Sequence, residues 1–245
     1  MSRKIELKSL LITGASLGIG AATAELFAKS GYHVIINYNK SLDAALSLCR
    51  KILESGGSAE CISADVSRTD DVAQMMNNLP ASSPDILINN AGVSHYGLLQ
   101  DMTDAEYDRV MSINVKGTFN LCRAVLPRMI NKKDGCIINI SSIWGRRGGA
   151  CEAVYSASKA AVIGLTRALA KEVGPSGITV NCICPGVIDT DMLSSFSDED
   201  KSALADDTPL MRLGLPQDVA AAALFFAENG FVTGQVLDVS GGFSL

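Results

Sequence analysis

The chain has 245 residues, 47% of them hydrophobic and 19% charged, with a formal net charge of −5. That length suits one large α/β domain, which buries about 70–75% of its unfolded surface and needs no staple. The composition excludes a disordered chain, and the negative balance gives nucleic acid no electrostatic reason to bind. Seven cysteines without a Cys-x-x-Cys pair, beside only two histidines, argue against a metal site and against a disulfide framework. Reduced, mostly buried thiols fit a cytoplasmic protein. Residues 1–8 are polar without an apolar signal core, and no apolar run is long enough to span a membrane.

Short apolar runs predict strands over 10–13, 33–38, 59–63, 86–89, 136–141, 179–184 and 236–239. Helical patterns fall between them near 19–30, 41–55, 69–79, 104–130, 153–173 and 217–227. This alternation predicts a single doubly wound Rossmann domain, a seven-stranded parallel sheet with helices on both faces. The stretch 185–209, with an acidic centre at Asp198, Glu199 and Asp200, breaks the rhythm and is expected to hold a substrate lid around 187–210. The helix segment 157–169 is small or apolar around most of its circumference, which predicts burial on nearly all sides, part of it against another subunit.

At the first strand-to-helix turn stands Thr13-Gly14-Ala15-Ser16-Leu17-Gly18-Ile19-Gly20. Glycines there allow a tight turn and a close backbone approach to a pyrophosphate resting on the helix N-terminus. No Gly-Lys-Ser/Thr ends the motif, which excludes a P-loop kinase or ATPase. The second strand leads into Tyr38-Asn39-Lys40-Ser41 and carries no carboxylate to accept from a ribose 2′-hydroxyl. Lys40 would supply charge to a 2′-phosphate, which favours NADP(H).

Tyr155 and Lys159 lie four residues apart on a predicted helix and so share a face. A cation beside a phenol is expected to lower its pKa from about 10 toward working pH, making Tyr155 a usable proton donor and acceptor. Ser142 closes a strand at its C-terminal end, where ligands sit in open α/β sheets, and can donate to a carbonyl oxygen. Cys151 has no histidine near it in sequence and reads as pocket lining. Glu152, three residues before Tyr155, has two readings: it favours the positive end of the helix dipole, or it meets a substrate ammonium.

These motifs resemble the short-chain dehydrogenase/reductase family over essentially the whole chain. The matching stations are 13–20, Asp65-Val66, Asn89-Asn90-Ala91-Gly92, Asn114, Ser142, Tyr155 with Lys159, and Pro185-Gly186. The resemblance implies that Gly14, Ser16, Leu17, Gly18, Ile19 and Gly20 hold the pyrophosphate end, and that Asp65 and Val66 flank the adenine. Asn90, Ala91 and Gly92 would then hold the ribose side, with Pro185, Gly186, Ile188 and Thr190 at the nicotinamide end. It further implies hydride transfer from NADPH to a ketone while Ser142 and Tyr155 hydrogen-bond its oxygen. Lys159 would assist Tyr155 and hold the ribose, and Asn114 would hold a water that relays protons. No metal is required.

Within the family, residues 181–192, 209–219 and 233–242 are similar to bacterial 3-oxoacyl-(acyl carrier protein) reductases, which implies an acyl-carrier-protein partner, fatty acid biosynthesis and a homotetramer. There are departures. Leu17 stands where the family usually has Arg or Lys. No Arg lies near Ser176, one of two basic residues that would meet the carrier protein, and Lys132 or Lys133 stands for the other. The segments 94–97 and 142–155 resemble a Firmicute branch that reduces a 5-aminopentanone group on a lysine of elongation factor P. A catalytically inactive dinucleotide-binding regulator is the alternative of another class, though all four catalytic positions, Asn114, Ser142, Tyr155 and Lys159, are intact.

Overall fold

The computed structural model describes residues 7–80, 84–194 and 196–243; residues 1–6 of the polar N-terminal segment and 244–245 at the C-terminus lie outside it. Among the described residues, seven parallel strands form one sheet in the order β3-β2-β1-β4-β5-β6-β7. They are β1 Ser9–Ile12, β2 His33–Tyr38, β3 Ser58–Ser63, β4 Ile86–Asn89, β5 Gly135–Ile140, β6 Ile178–Pro185 and β7 Val236–Val239. The central runs Leu10-Leu11-Ile12, Val34-Ile35-Ile36, Ile86-Leu87-Ile88 and Cys136-Ile137-Ile138 are buried on both faces. They read as unbroken apolar stretches because helices cover both sides of a parallel sheet.

The helices are α1 Gly18–Lys29, α2 Leu42–Glu54, α3 Thr69–Asn78, α4 Asp104–Met111, α5 Thr118–Lys132, α6 Trp144–Arg147, α7 Ala153–Val173, α8 Asp198–Asp206 and α9 Pro216–Glu228. One core face joins α1, α2 and α9 to the sheet through Phe27, Ile52 and Phe226. The other joins α3, α5 and α7 through Met75, Leu121 and Leu169. Among the described residues no helix is long and apolar enough to cross a membrane.

The structure departs from the sequence reading in three places. The predicted helix 104–130 is two α-helices joined by a π-helical turn, Ser112–Gly117. The stretch 185–209 contains α8, started by a Ser197–Asp200 capping box, and a parallel bridge between Ile188 and Gly214. Finally, α7 is not buried on nearly all sides of the chain. Lys159, Val162, Ile163, Thr166 and Leu169 are buried, whereas Ala153, Ala157, Ala161, Gly164 and Ala168 are exposed. These open positions are alanine and glycine, on the part of the surface that the sequence reading gave to another subunit.

At the N-terminal edge of the sheet, Asp85 ties three segments together. It accepts from the Ser9 N–H at 2.6 Å and the Ser9 hydroxyl at 3.0 Å, and pairs with Lys132 at the end of α5.

Candidate active site

The motif residues gather at the C-terminal ends of the strands. After β1, the Thr13 hydroxyl accepts from the backbone N–H groups of Asn90 and Ala91, each at 3.0 Å. Asn90 Nδ2 donates back to the carbonyls of Thr13 and Gly14 at 2.9 and 3.0 Å. The glycine turn is thereby locked to the loop after β4. Gly14 has φ +59°, and a Cβ on it would sit 2.8 Å from Ala91 Cα. Only glycine allows both that conformation and that approach.

Gly18 opens α1 beyond the extended Leu17, and no side chain caps the first-turn N–H groups. Free N–H donors at a helix N-terminus suit an anion such as a pyrophosphate. Ser16 and Ile19 are half-buried in the same turn, and Gly20 is buried against Asn90. Thr190 reaches this turn from beyond β6, its methyl 3.3 Å from where a Gly18 Cβ would lie. Ile188 is buried beside Gly214, and Gly186 packs so closely on Ser240 that a Cβ would come within 2.8 Å.

At the end of β2, Tyr38 is half-buried while Asn39 and Lys40 are exposed. The Asp65 carboxylate after β3 accepts from the Ser67 N–H and hydroxyl at 2.9 and 2.6 Å and from Asn39. Burial works against that carboxylate, yet these hydrogen bonds hold its pKa below the usual value. Val66 is buried against Gly117, and its carbonyl accepts from Asn120 at 3.0 Å. The uncapped helix, the glycine cradle and the polar rim at Asn39, Lys40 and Asp65 fit a dinucleotide.

Ser142 follows β5, and Tyr155 and Lys159 project from one face of α7. The Ser142 hydroxyl accepts from the Trp144 N–H at 3.2 Å and hydrogen-bonds the Tyr155 phenol. Lys159 is buried; its Nζ donates to the Ile140 carbonyl at 3.0 Å and lies 5.8 Å from the Tyr155 ring centroid. Burial lowers the Lys159 pKa to about 8 and raises that of Tyr155 to about 12, the Ser142 hydrogen bond pulling the phenol the other way. The expected depression of the phenol by Lys159 is therefore reversed. The ammonium is bonded to backbone rather than to the hydroxyl, and desolvation of the phenol dominates.

Asn114 sits in the π-helical turn. Its Oδ1 accepts from the Val93 N–H at 2.9 Å, and its Nδ2 donates to the Val93 carbonyl at 2.9 Å and Ser158 Oγ at 3.0 Å. A Cβ on Gly92 would lie 3.1 Å from Lys159 Nζ and 3.3 Å from Asn114 Oδ1, so both groups border one small space. Sequence reasoning missed Ser158 and Ser141 as parts of this frame and gave Thr13 only as the start of the glycine motif. Their hydroxyls bond the Tyr155 carbonyl at 2.7 Å, the Lys159 carbonyl at 2.8 Å and the 90–91 loop. The Ser-Ser pair at 141–142 was the available signal.

Around the mouth, Cys151 has φ +62°, and its carbonyl accepts from the Gly97 N–H at 2.8 Å. Its thiol hydrogen-bonds the exposed Tyr96 phenol. Glu152 is half-buried and accepts from the Trp144 side chain; burial raises its pKa. The Trp144 ring also meets Phe243 edge-on, 6.0 Å between centroids.

Comparison with known proteins agrees with this geometry. A family model described as enoyl-(acyl carrier protein) reductase matches residues 14–244. The chain belongs to the short-chain dehydrogenase/reductase family, whose members use nicotinamide dinucleotides. It is 39% identical over 238 residues to the uncharacterized oxidoreductase YmfI of Bacillus subtilis, covering 96% of this chain and 98% of that one. It is 41% identical over 249 residues to the 3-oxoacyl-(acyl carrier protein) reductase FabG of Chlamydia trachomatis, covering 99% of each. A solved 3-oxoacyl-(acyl carrier protein) reductase from Brucella melitensis superposes with a TM-score of 0.91 at 38% identity, over 97% of this chain and 91% of that one. The protein is thus an oxidoreductase of that family.

Proposed function

We propose that this chain is an NADPH-dependent ketone reductase acting on 3-oxoacyl groups carried by acyl carrier protein. The observation that supports the reading is the meeting of Ser142, Tyr155 and a buried Lys159 close to the 90–92 loop that is locked to the glycine turn. NADPH, when bound, supplies the hydride. Gly14 to Gly20 and the α1 N-terminus would hold its pyrophosphate, Lys40 its 2′-phosphate, and Asp65 and Val66 its adenine. Asn90, Ala91 and Gly92 would line the ribose side, and Ile188 and Thr190 the nicotinamide side.

Ser142 and Tyr155 donate to the substrate carbonyl oxygen, and Tyr155 gives its proton to the developing alkoxide. A phenol held protonated suits that direction of reaction. Lys159 supplies positive charge beneath the phenol while its proton is retained. Asn114 keeps the 93 loop and Ser158 fixed around Lys159 and is placed to border a relay water. The segment around 187–210 serves as the substrate lid.

The exposed small face of α7, and the exposed apolar side chains of Phe225, Phe231 and Leu237, support a homotetramer. No membrane or nucleic-acid partner is part of this reading, and the enzyme is assigned to the cytoplasm.

A second reading rests on Glu152. A half-buried carboxylate held by one indole donor beside Tyr155 suits a substrate ammonium, as on a 5-aminopentanone group of elongation factor P. NADPH oxidation assayed with acetoacetyl thioesters beside modified elongation factor P separates the two. Glu152→Gln should slow amino ketones and spare thioesters if the second holds; equal effects on both favour the first. Absence of NADPH oxidation with every ketone would instead favour an inactive dinucleotide-binding regulator.

A further inference from the structure

All seven cysteines are free thiols, and the proposed chemistry uses none of them. Cys182 and Cys184 lie wholly buried on β6, Cys122 and Cys136 are buried singly, and Cys151 is engaged with Tyr96. The remaining pair is different. Cys49 on α2 and Cys61 on the edge strand β3 are both half-buried. The Cys49 thiol donates across to the Ala59 carbonyl at 3.4 Å, and the Cys61 thiol donates back to the Ala45 carbonyl at 3.2 Å. Each sulfur reaches the other's element.

We propose that Cys49 and Cys61 form a modification site for hydroperoxides, closing reversibly to a disulfide that clamps α2 to β3. Cys49 attacks the peroxide oxygen, the O–O bond breaks, and a sulfenic acid forms with release of water or an alcohol. Cys61 then attacks the Cys49 sulfur, the S–O bond breaks, and a second water leaves. Two electrons pass from the thiols to the peroxide. The order follows from the environment. Burial, with the adjacent Cys49, pushes the Cys61 thiol up to about 12, so Cys61 is the poorer first nucleophile.

The clamp has a consequence for the cradle. Helix α2 starts two residues after Lys40, and β3 runs directly into Ala64-Asp65-Val66. A bond between them fixes the two segments read above as holding the adenosine end, a clause that rests on the cofactor reading. The test treats the whole protein with hydrogen peroxide, blocks remaining thiols, and maps the peptides by mass spectrometry. A Cys49–Cys61 crosslinked peptide, lost on dithiothreitol treatment, is expected. In Cys61→Ser, Cys49 should be trapped as a sulfenic acid by dimedone.

Complete alkylation of both thiols after peroxide, or stable sulfinic acid at Cys49 with Cys61 free, would overturn the site. NADPH fluorescence titration of oxidised and reduced protein reads the clamp separately, with a Kd shift of at least about threefold expected. An unchanged Kd in crosslinked protein overturns the clamp. No NADPH binding in either form counts against the cofactor reading, while the peptide map still decides the site.

Discussion

The Ser141 hydroxyl donates a 2.8 Å hydrogen bond to the main-chain carbonyl of Lys159, joining the end of β5 to the middle of α7. Gly145 packs on the same spot, where a Cβ would lie 2.8 Å from Ser141 Oγ and 2.9 Å from the Lys159 oxygen. The separation between Ser142 and the Tyr155–Lys159 pair is therefore set by the Ser141 hydroxyl and Gly145, outside the reacting groups themselves. Ser141→Ala should lower kcat roughly 10–100-fold, the scale of a small misplacement, with cofactor affinity nearly unchanged. Tyr155→Phe should cost about 10²–10⁴-fold, since it removes the proton donor itself. Steady-state kinetics on folded variants checks both, and wild-type rates in Tyr155→Phe would refute the assigned acid.

Lys159 and Tyr155 of α7 predict a pH profile. Ketone reduction should stay level below pH about 8 and fall above it as Lys159 loses its proton, while Tyr155 remains a donor to about 12. Alcohol oxidation, which needs the phenolate, should rise with pH. For stability the sign is fixed by the lowered Lys159 pKa. The folded protein binds that proton less tightly than the unfolded chain, so Lys159 destabilises the fold below about 8. The penalty fades as pH rises toward 10.5. A reduction rate level to pH 10 would remove Lys159 from the mechanism.

Cofactor choice should turn on the end of β2. Lys40 is exposed there, and β2 itself leads into Tyr38-Asn39-Lys40-Ser41 without a carboxylate of its own. NADPH should be preferred, and Tyr38→Asp should shift preference toward NADH by repelling a 2′-phosphate. Equal kcat/KM with both cofactors in the native protein contradicts this.

Asp85 gives a prediction about stability alone. Its pKa is held low, against the cost of burial, by Lys132 and the two Ser9 bonds. A lowered carboxylate pKa contributes stability above the unfolded value near 4, lost as pH falls through the folded one. Asp85→Asn should cost about 2 kcal/mol at pH 7, and the difference should vanish in acid. Urea unfolding at pH 7 and at steps down through the acid range measures it, and a deficit that never shrinks as pH falls would exclude the charge as its source.

The strands were legible in the sequence because their apolar runs are short, β-branched and bounded by turn residues; β2, β4 and β7 fall where the pattern puts them. The glycine turn and the Tyr155–Lys159 pair were legible because spacing alone puts them on one edge or one face. What escaped depends on energies that spacing does not carry. The π-helical turn follows from tertiary hydrogen bonds of Asn114, and α8 lies in a stretch whose acidic centre read as loop. The raised phenol pKa is a contest between desolvation and charge, which only the depth of Tyr155 and the direction of Lys159 Nζ decide.

The π-helical turn at Ser112–Gly117 also constrains how this chain can change. Such a turn carries one residue more than an α-helix needs, and each residue of a helix spans about 100° of rotation. Deleting a single residue there would restore an unbroken helix and swing Asn114 away from Val93 and Ser158, although every side chain of the site survived. Surface loops in general tolerate insertions, but here length itself is the heritable trait. Descendants of this gene can vary the letters around Asn114 more freely than they can vary their number.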